Sequence, residues 1–165
     1  MKIFAAALLT TTIIAAPALA QNMPTWAKGH IVPYVGAFDA LDDDKAFVGG
    51  IEYRASDLGY GIRPVVGGFA NEDSDAYGYA GIVWDLHVAD EWVVTPSFAV
   101  GAYHHGAGKD LGGALEFKSG IEVSYVLPDD YRIGVQLNHL SNASIYDKNP
   151  GEENLIATFQ IPTSW

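Results

Sequence analysis

The chain has no cysteine. That excludes disulfides and metal–thiolate sites, and it leaves a small domain to find its stability elsewhere. Basic residues are scarce. Nine Lys and Arg stand against twenty Asp and Glu, for a formal net charge of −11. Nucleic acid requires a basic footprint, so that partner class is excluded. Past the N-terminus no apolar run approaches the ~20 residues that a helix needs to cross a bilayer. No stretch of helical period stands out there either, and there is no linker or low-complexity segment.

The N-terminus is the exception to this lack of apolar runs. MKIFAAALLTTTIIAAPALA carries Lys2, an apolar stretch from Ile3 to about Ala16, and the small-residue triplet Ala18-Leu19-Ala20. This is the pattern of a secretory signal peptide over residues 1–20, with cleavage after Ala20 and a mature domain over 21–165. Losing Lys2 moves the formal charge from −11 to −12. The acids gather in short runs, Asp42-Asp43-Asp44, Glu72-Asp73-Ser74-Asp75, Asp129-Asp130 and Glu152-Glu153, read as solvated loop ends.

The rest of the chain is a series of runs rich in Val, Ile, Tyr, Phe and Gly, separated by Asp, Gly, Asn and Pro clusters at nearly even spacing. They fall at about 30–38, 46–54, 61–70, 77–88, 92–104, 114–127, 131–141 and 153–165. Within them apolar and polar residues alternate. Leu115, Phe117, Ile121, Val123 and Tyr125 share one face of the sixth run, and Glu116, Lys118, Gly120, Glu122 and Ser124 the other. In the fourth run Ile82, Trp84 and Leu86 oppose Gly81, Asp85 and His87. Glu52, Arg54 and Arg132 also fall on polar faces.

Charges of both signs on one face and apolar residues on the other suit a barrel that shows its apolar face to lipid and fills its interior with polar side chains. The fold class is therefore all-β, an eight-stranded antiparallel outer-membrane β-barrel, too narrow for a wide pore. A lipocalin-like soluble barrel is the alternative fold. The connections 55–60, 89–91 and 128–130 read as short periplasmic turns, and 39–45, 71–76, 105–113 and 142–152 as longer outer loops. Trp26, Trp84, Trp92 and Trp165 read as girdle or packing residues. Asp85 and His87 read as an interior polar network. His104 and His105, adjacent on a strand, point to opposite faces and make a poor metal pair.

One place breaks the alternation. Tyr131, Ile133, Val135 and Leu137 form the lipid face of the seventh run, and continuing by twos gives His139 and Ser141. The eighth run has Leu155, Ala157, Phe159 and Ile161 outward, and stepping back gives Glu153. Placing His139 opposite Glu153 sets Leu137 opposite Leu155, Val135 opposite Ala157 and Ile133 opposite Phe159, as ladder parity requires. Residues two apart on a strand lie about 7 Å from each other and opposed residues about 5 Å. Glu153, His139 and Ser141 can thus stand as orienter, base and nucleophile. A polar collar at the membrane boundary is the competing reading.

His139-Leu140-Ser141-Asn142-Ala143, then Asn149-Pro150-Gly151, then Glu153, resemble the C-terminal motif of the lipid A 3-O-deacylases of the PagL type. The resemblance covers about 15 residues. It implies an outer-membrane serine esterase, a carboxylic ester hydrolase that removes the 3-O acyl chain of lipid A in lipopolysaccharide. Ser141 would be nucleophile, His139 base and Glu153 orienter. Asn149 is an oxyanion candidate, and Asn142 with the backbone N–H groups after Ser141 another. The implied partner is lipid A in the outer leaflet of the bacterial outer membrane. No metal or other cofactor is called for, and a homodimer is a further expected assembly. The alternative function is a non-enzymatic small barrel serving adhesion or envelope integrity. Acyl transfer with the chain held inside the barrel is disfavoured by the charged interior.

Overall fold

The computed structural model describes residues 28–42 and 45–164. The expected signal segment, Trp26 and Trp165 lie outside the described residues. The strands are β1 (His30–Phe38), β2 (Ala46–Arg54), β3 (Ile62–Asn71), β4 (Ala76–Trp84), β5 (Trp92–His104), β6 (Leu115–Val126), β7 (Arg132–Ser141) and β8 (Glu152–Pro162). Leu86–His87 continues β4 past a break at Asp85 and pairs with the same neighbour, β5. Each strand pairs antiparallel with the next, and β1 pairs with β8, which closes an eight-stranded barrel.

Strands form because alternating β-branched and aromatic residues suit a pleated surface with one face in lipid. Turn chemistry ends them. Asp57 accepts hydrogen bonds from the N–H groups of Gly59 (2.8 Å) and Gly61 (3.2 Å) between β2 and β3. The Asn71 side-chain oxygen accepts from the N–H groups of Asp73 and Asp75. This clamp makes the β3–β4 connection a tight turn, shorter than the β2–β3 one, so the expected division into short and long rims fails there. The rim carrying the 105–114 and 142–151 connections is the long-loop rim, and the opposite one the short-turn rim.

The expected lumen charges are inside: Glu52, Arg54, Asp85, Glu116, Lys118, Glu122 and Arg132 are all buried. Arg63, not singled out in the sequence, joins them. Arg54 forks onto Glu122 (3.2 and 2.8 Å) and also donates to Glu52 (2.6 Å). Asp85 accepts from Arg63 and Arg132 at 2.9 Å each and from Thr95. His87, expected in the interior, sits exposed at the short-turn rim, because the chain breaks at Asp85 and the strand ends before the side chain is covered.

These ion pairs occupy the short-turn half of the lumen. In the long-loop half, rings and aliphatic groups pack alongside buried Glu116, Glu152, Asn138 and Asn154. Phe38, Phe69, Tyr77 and Tyr79 stack in sequence, with centroids 5.9, 5.6 and 5.4 Å apart. Leu111, Leu140 and Ile156 close the plug. Outside, Trp92 packs edge-on against Tyr125, and the Trp84 indole N–H donates to the Tyr60 carbonyl (2.8 Å), both near the short-turn rim. Aromatic rings of this kind mark a membrane boundary.

Candidate active site

β7 and β8 pair with His139 opposite Glu153, Leu137 opposite Leu155, Val135 opposite Ala157 and Ile133 opposite Phe159. Glu153 is fixed from its far side as well, where its carbonyl accepts the Ala40 N–H (2.7 Å). Across the β7–β8 ladder the imidazole Nδ1 of His139 and Oε1 of Glu153 lie 2.9 Å apart. Both side chains point out of the barrel, with exposures of 46 % and 30 %. A carboxylate at Nδ1 requires the proton on that nitrogen, which leaves Nε2 as the basic lone pair.

Ser141 lies two residues beyond His139 on the same outward face, at the last position of β7. No hydrogen bond joins the two side chains. Gly151, with φ +69°, lies against the imidazole: a β-carbon there would stand 2.8 Å from His139 Cε1. Glycine is the residue that tolerates both this backbone conformation and this approach. The ring is thus held between Glu153 on one side and the returning loop on the other.

The chain leaves Ser141 through a strained turn. Ala143 and Ser144 have φ values of 52° and 61°. The Ile145 N–H returns to the Asn142 carbonyl at 3.0 Å. Positive φ at both central residues defines a type I′ turn, a geometry normally given to Asn and Gly. Backbone strain of this kind costs about 1–3 kcal/mol per residue and persists where surrounding contacts enforce it.

Asn142 supplies that enforcement. Its side-chain amide is fully buried and donates to the carbonyls of Leu111 (2.7 Å) and Lys148 (2.8 Å). It therefore points into the barrel mouth and offers no donor on the outer wall, unlike the expectation that grouped it with the oxyanion donors. Its backbone N–H donates to Asn149 Oδ1 at 2.9 Å. A backbone N–H can only donate, so the Asn149 amide orientation is fixed, with its NH₂ turned outward from that bond. The 105–114 loop backs the arrangement. Lys148 pairs with Asp110 at 3.0 Å, and the Leu115 N–H donates to the Tyr146 hydroxyl. The bond from Lys148, then the Gly112 N–H, holds the Asp110 carboxyl below its usual range.

Sequence reasoning missed Ser119. It is exposed on the outward face of β6, directly opposite His139. The signal was available, since a serine between Phe117 and Ile121 interrupts the apolar face just as His139 does. His104 is exposed at the outer end of β5, and His105 turns to the Gly108 carbonyl at 3.1 Å.

A family model described as lipid A 3-O-deacylase (PagL) matches residues 75–162. Among solved structures, the chain is similar to the outer membrane enzyme PagL, at 17 % identity and TM-score 0.65, over 81 % of this chain and 99 % of that one. It is also similar to Neisserial surface protein A, at 13 % identity and TM-score 0.55, over 82 % and 96 %. A designed transmembrane β-barrel matches at 13 % identity and TM-score 0.53, over 81 % and 97 %. At such identities the structural likeness speaks to the fold. No curated protein matches the chain.

Proposed function

Since the chain belongs to the lipid A 3-O-deacylase (PagL) family, and is thus an esterase of the bacterial outer membrane acting on lipid A, we propose that Ser141, His139 and Glu153 carry its chemistry. The observation that supports this is the His139–Glu153 bond on the lipid-facing wall, with a serine two residues on. A rotation about the Ser141 Cα–Cβ bond brings its hydroxyl toward Nε2, and catalytic hydrogen bonds commonly close only when substrate is bound.

Ser141 Oγ attacks the carbonyl carbon of the 3-position ester, and its proton passes to His139 Nε2. Glu153 keeps the Nδ1 proton in place and stabilises the imidazolium. The tetrahedral oxyanion is met by the Asn149 NH₂ and by backbone N–H groups after Ser141. Fixed donors of this kind act at no reorganisation cost. Collapse breaks the bond to the sugar oxygen, which leaves with the proton from His139. Water then attacks the acyl-Ser141 ester, His139 takes its proton and returns it to Ser141, and the fatty acid departs. Every group comes from one chain, and a homodimer would add none. The 142–151 loop faces the cell exterior, so the site meets the outer leaflet.

The test is mass spectrometry of lipid A from cells carrying the wild-type chain, Ser141→Ala, or neither. Loss of the 3-O acyl chain with wild type alone is expected. Deacylation by Ser141→Ala at the wild-type rate would sink the assignment.

A further inference from the structure

Tyrosine and tryptophan aside, the outward-facing polar side chains of the described strands are His104, Ser119, His139, Ser141 and Glu153. His104 stands apart at the rim. The others are contiguous, with Glu153, His139 and Ser119 in one row across β8, β7 and β6, and Ser141 one step outward beside Phe117. Ser119 is the member of this cluster with no role in the chemistry above. Both ring nitrogens of His139 are accounted for, so Ser119 does not serve as a further partner of the base.

Position tells what it can reach. Ser119 lies level with His139, one residue pair closer to the apolar band than Ser141. By sheet geometry it sits about 5 Å from His139 and about 7–8 Å diagonally from Ser141, measured at the backbone. Below it is Ile121, and beside it are Phe98 and Phe117, whose rings stack 6.1 Å apart with planes at 20°. Ser119 is thus the small residue among large apolar side chains, on the lipid side of the nucleophile. Sugar and water reach Ser141 from the other direction, past the 142–151 loop.

A hydroxyl in that place needs a partner. Ser119 has no hydrogen bond among the described residues, and a hydroxyl left unpaired in hydrocarbon is costly. An acyl chain whose carbonyl is at Ser141 passes Ser119 on its way to the hydrocarbon. A hydroxyl on the third carbon of such a chain would be stripped of water at the same level. We propose that Ser119 is a specificity-determining residue that hydrogen-bonds the hydroxyl of a 3-hydroxyacyl chain, so that this chain is preferred over an unsubstituted one. This rests on the assignment of Ser141 as nucleophile.

The experiment uses purified full-length protein in detergent and two glucosamine-phosphate lipids that differ only in a 3-O-(3-hydroxymyristoyl) or 3-O-myristoyl ester. The readout is the ratio of kcat/KM for the two. One neutral hydrogen bond predicts a wild-type preference of about five- to tenfold for the hydroxylated ester. Ser119→Ala should bring the ratio close to one, and Ser119→Thr, which restores a hydroxyl, should recover it. A wild-type ratio near one overturns the proposal. So does Ser119→Ala with the wild-type ratio, whatever happens to its absolute rates. Failure of the deacylase assignment looks different, as folded wild type and Ser141→Ala would then release acid from neither ester, or equally from both.

Discussion

Polar side chains occur in two regions of this barrel, and they are treated oppositely. In the short-turn half of the lumen, Arg54, Arg63 and Arg132 are sealed among Glu52, Glu122, Asp85 and Asp130 with their donors engaged. On the outer wall, His139 and Glu153 form a single pair, and Ser119 and Ser141 have hydroxyls to spare. A cross-paired ionic network inside a closed barrel contributes rigidity and is sealed from a substrate. A half-satisfied cluster facing lipid contributes little to stability and can do chemistry. The sites differ in free hydrogen-bonding capacity, with comparable polarity.

The sharpest way to break the comparison is to empty the outer cluster. Ser141→Ala should lower lipid A deacylation by at least about 10⁴-fold, as removal of a nucleophile does in serine hydrolases. The folded, heat-modifiable band on an unboiled gel should not change. His139→Asn should act nearly as strongly. Coupled loss of fold and activity in either variant would show that the outer cluster is structural after all.

The inner network should give the reverse result. Arg54→Met leaves Glu122 buried without its cation and Glu52 with Lys118 alone, and removing one partner of a buried pair costs about 3–5 kcal/mol. Unfolding in urea should shift by that amount, with activity per folded molecule within about twofold of wild type. A large activity loss in fully folded Arg54→Met would couple the two regions.

Smaller effects sharpen the outer site. Asn149→Ala should slow turnover by about 10²–10³-fold if its NH₂ meets the oxyanion, with KM little changed. Glu153→Ala should be milder than loss of the base, since the orienting acid can contribute less than nucleophile or base. The smallest change expected is from Asp110→Asn. It removes an exposed pair with Lys148, and exposed pairs contribute little, so activity should fall no more than a few fold. That difference should fade in high salt, which screens exposed charges. A salt-independent loss would mean that Asp110 does more than brace the loop.

Much of this was readable in residue order. Strand boundaries fell within a few residues of the observed ones, because apolar–polar alternation in the outward and inward faces of β6 and β7 is nearly unbroken. The β7–β8 register followed from placing His139 opposite Glu153, a choice that parity allowed. The aromatic plug was harder to read. In Ala76–Trp84 inward Tyr77, Tyr79 and Val83 alternate with outward Ala80, Ile82 and Trp84, so both faces are apolar and the pattern has no sign. His87 followed the lumen parity yet lies at the mouth, since parity gives a face and says nothing about where the cover ends.

The sequence by itself determined which side chains share a face, and hence that His139, Ser141 and Glu153 leave the barrel together. Period-two geometry is local and needs only the strand. Tertiary structure decided the rest. Closure of β4 on β5 and of β1 on β8 set which charges meet across the lumen. The contacts of Leu111 and Lys148 with Asn142 turned that amide inward and left Asn149 facing out. Pairing of β6 with β7 put Ser119 beside the base. These are distances between residues far apart in the chain, and nothing in the order of residues specifies them until the barrel closes.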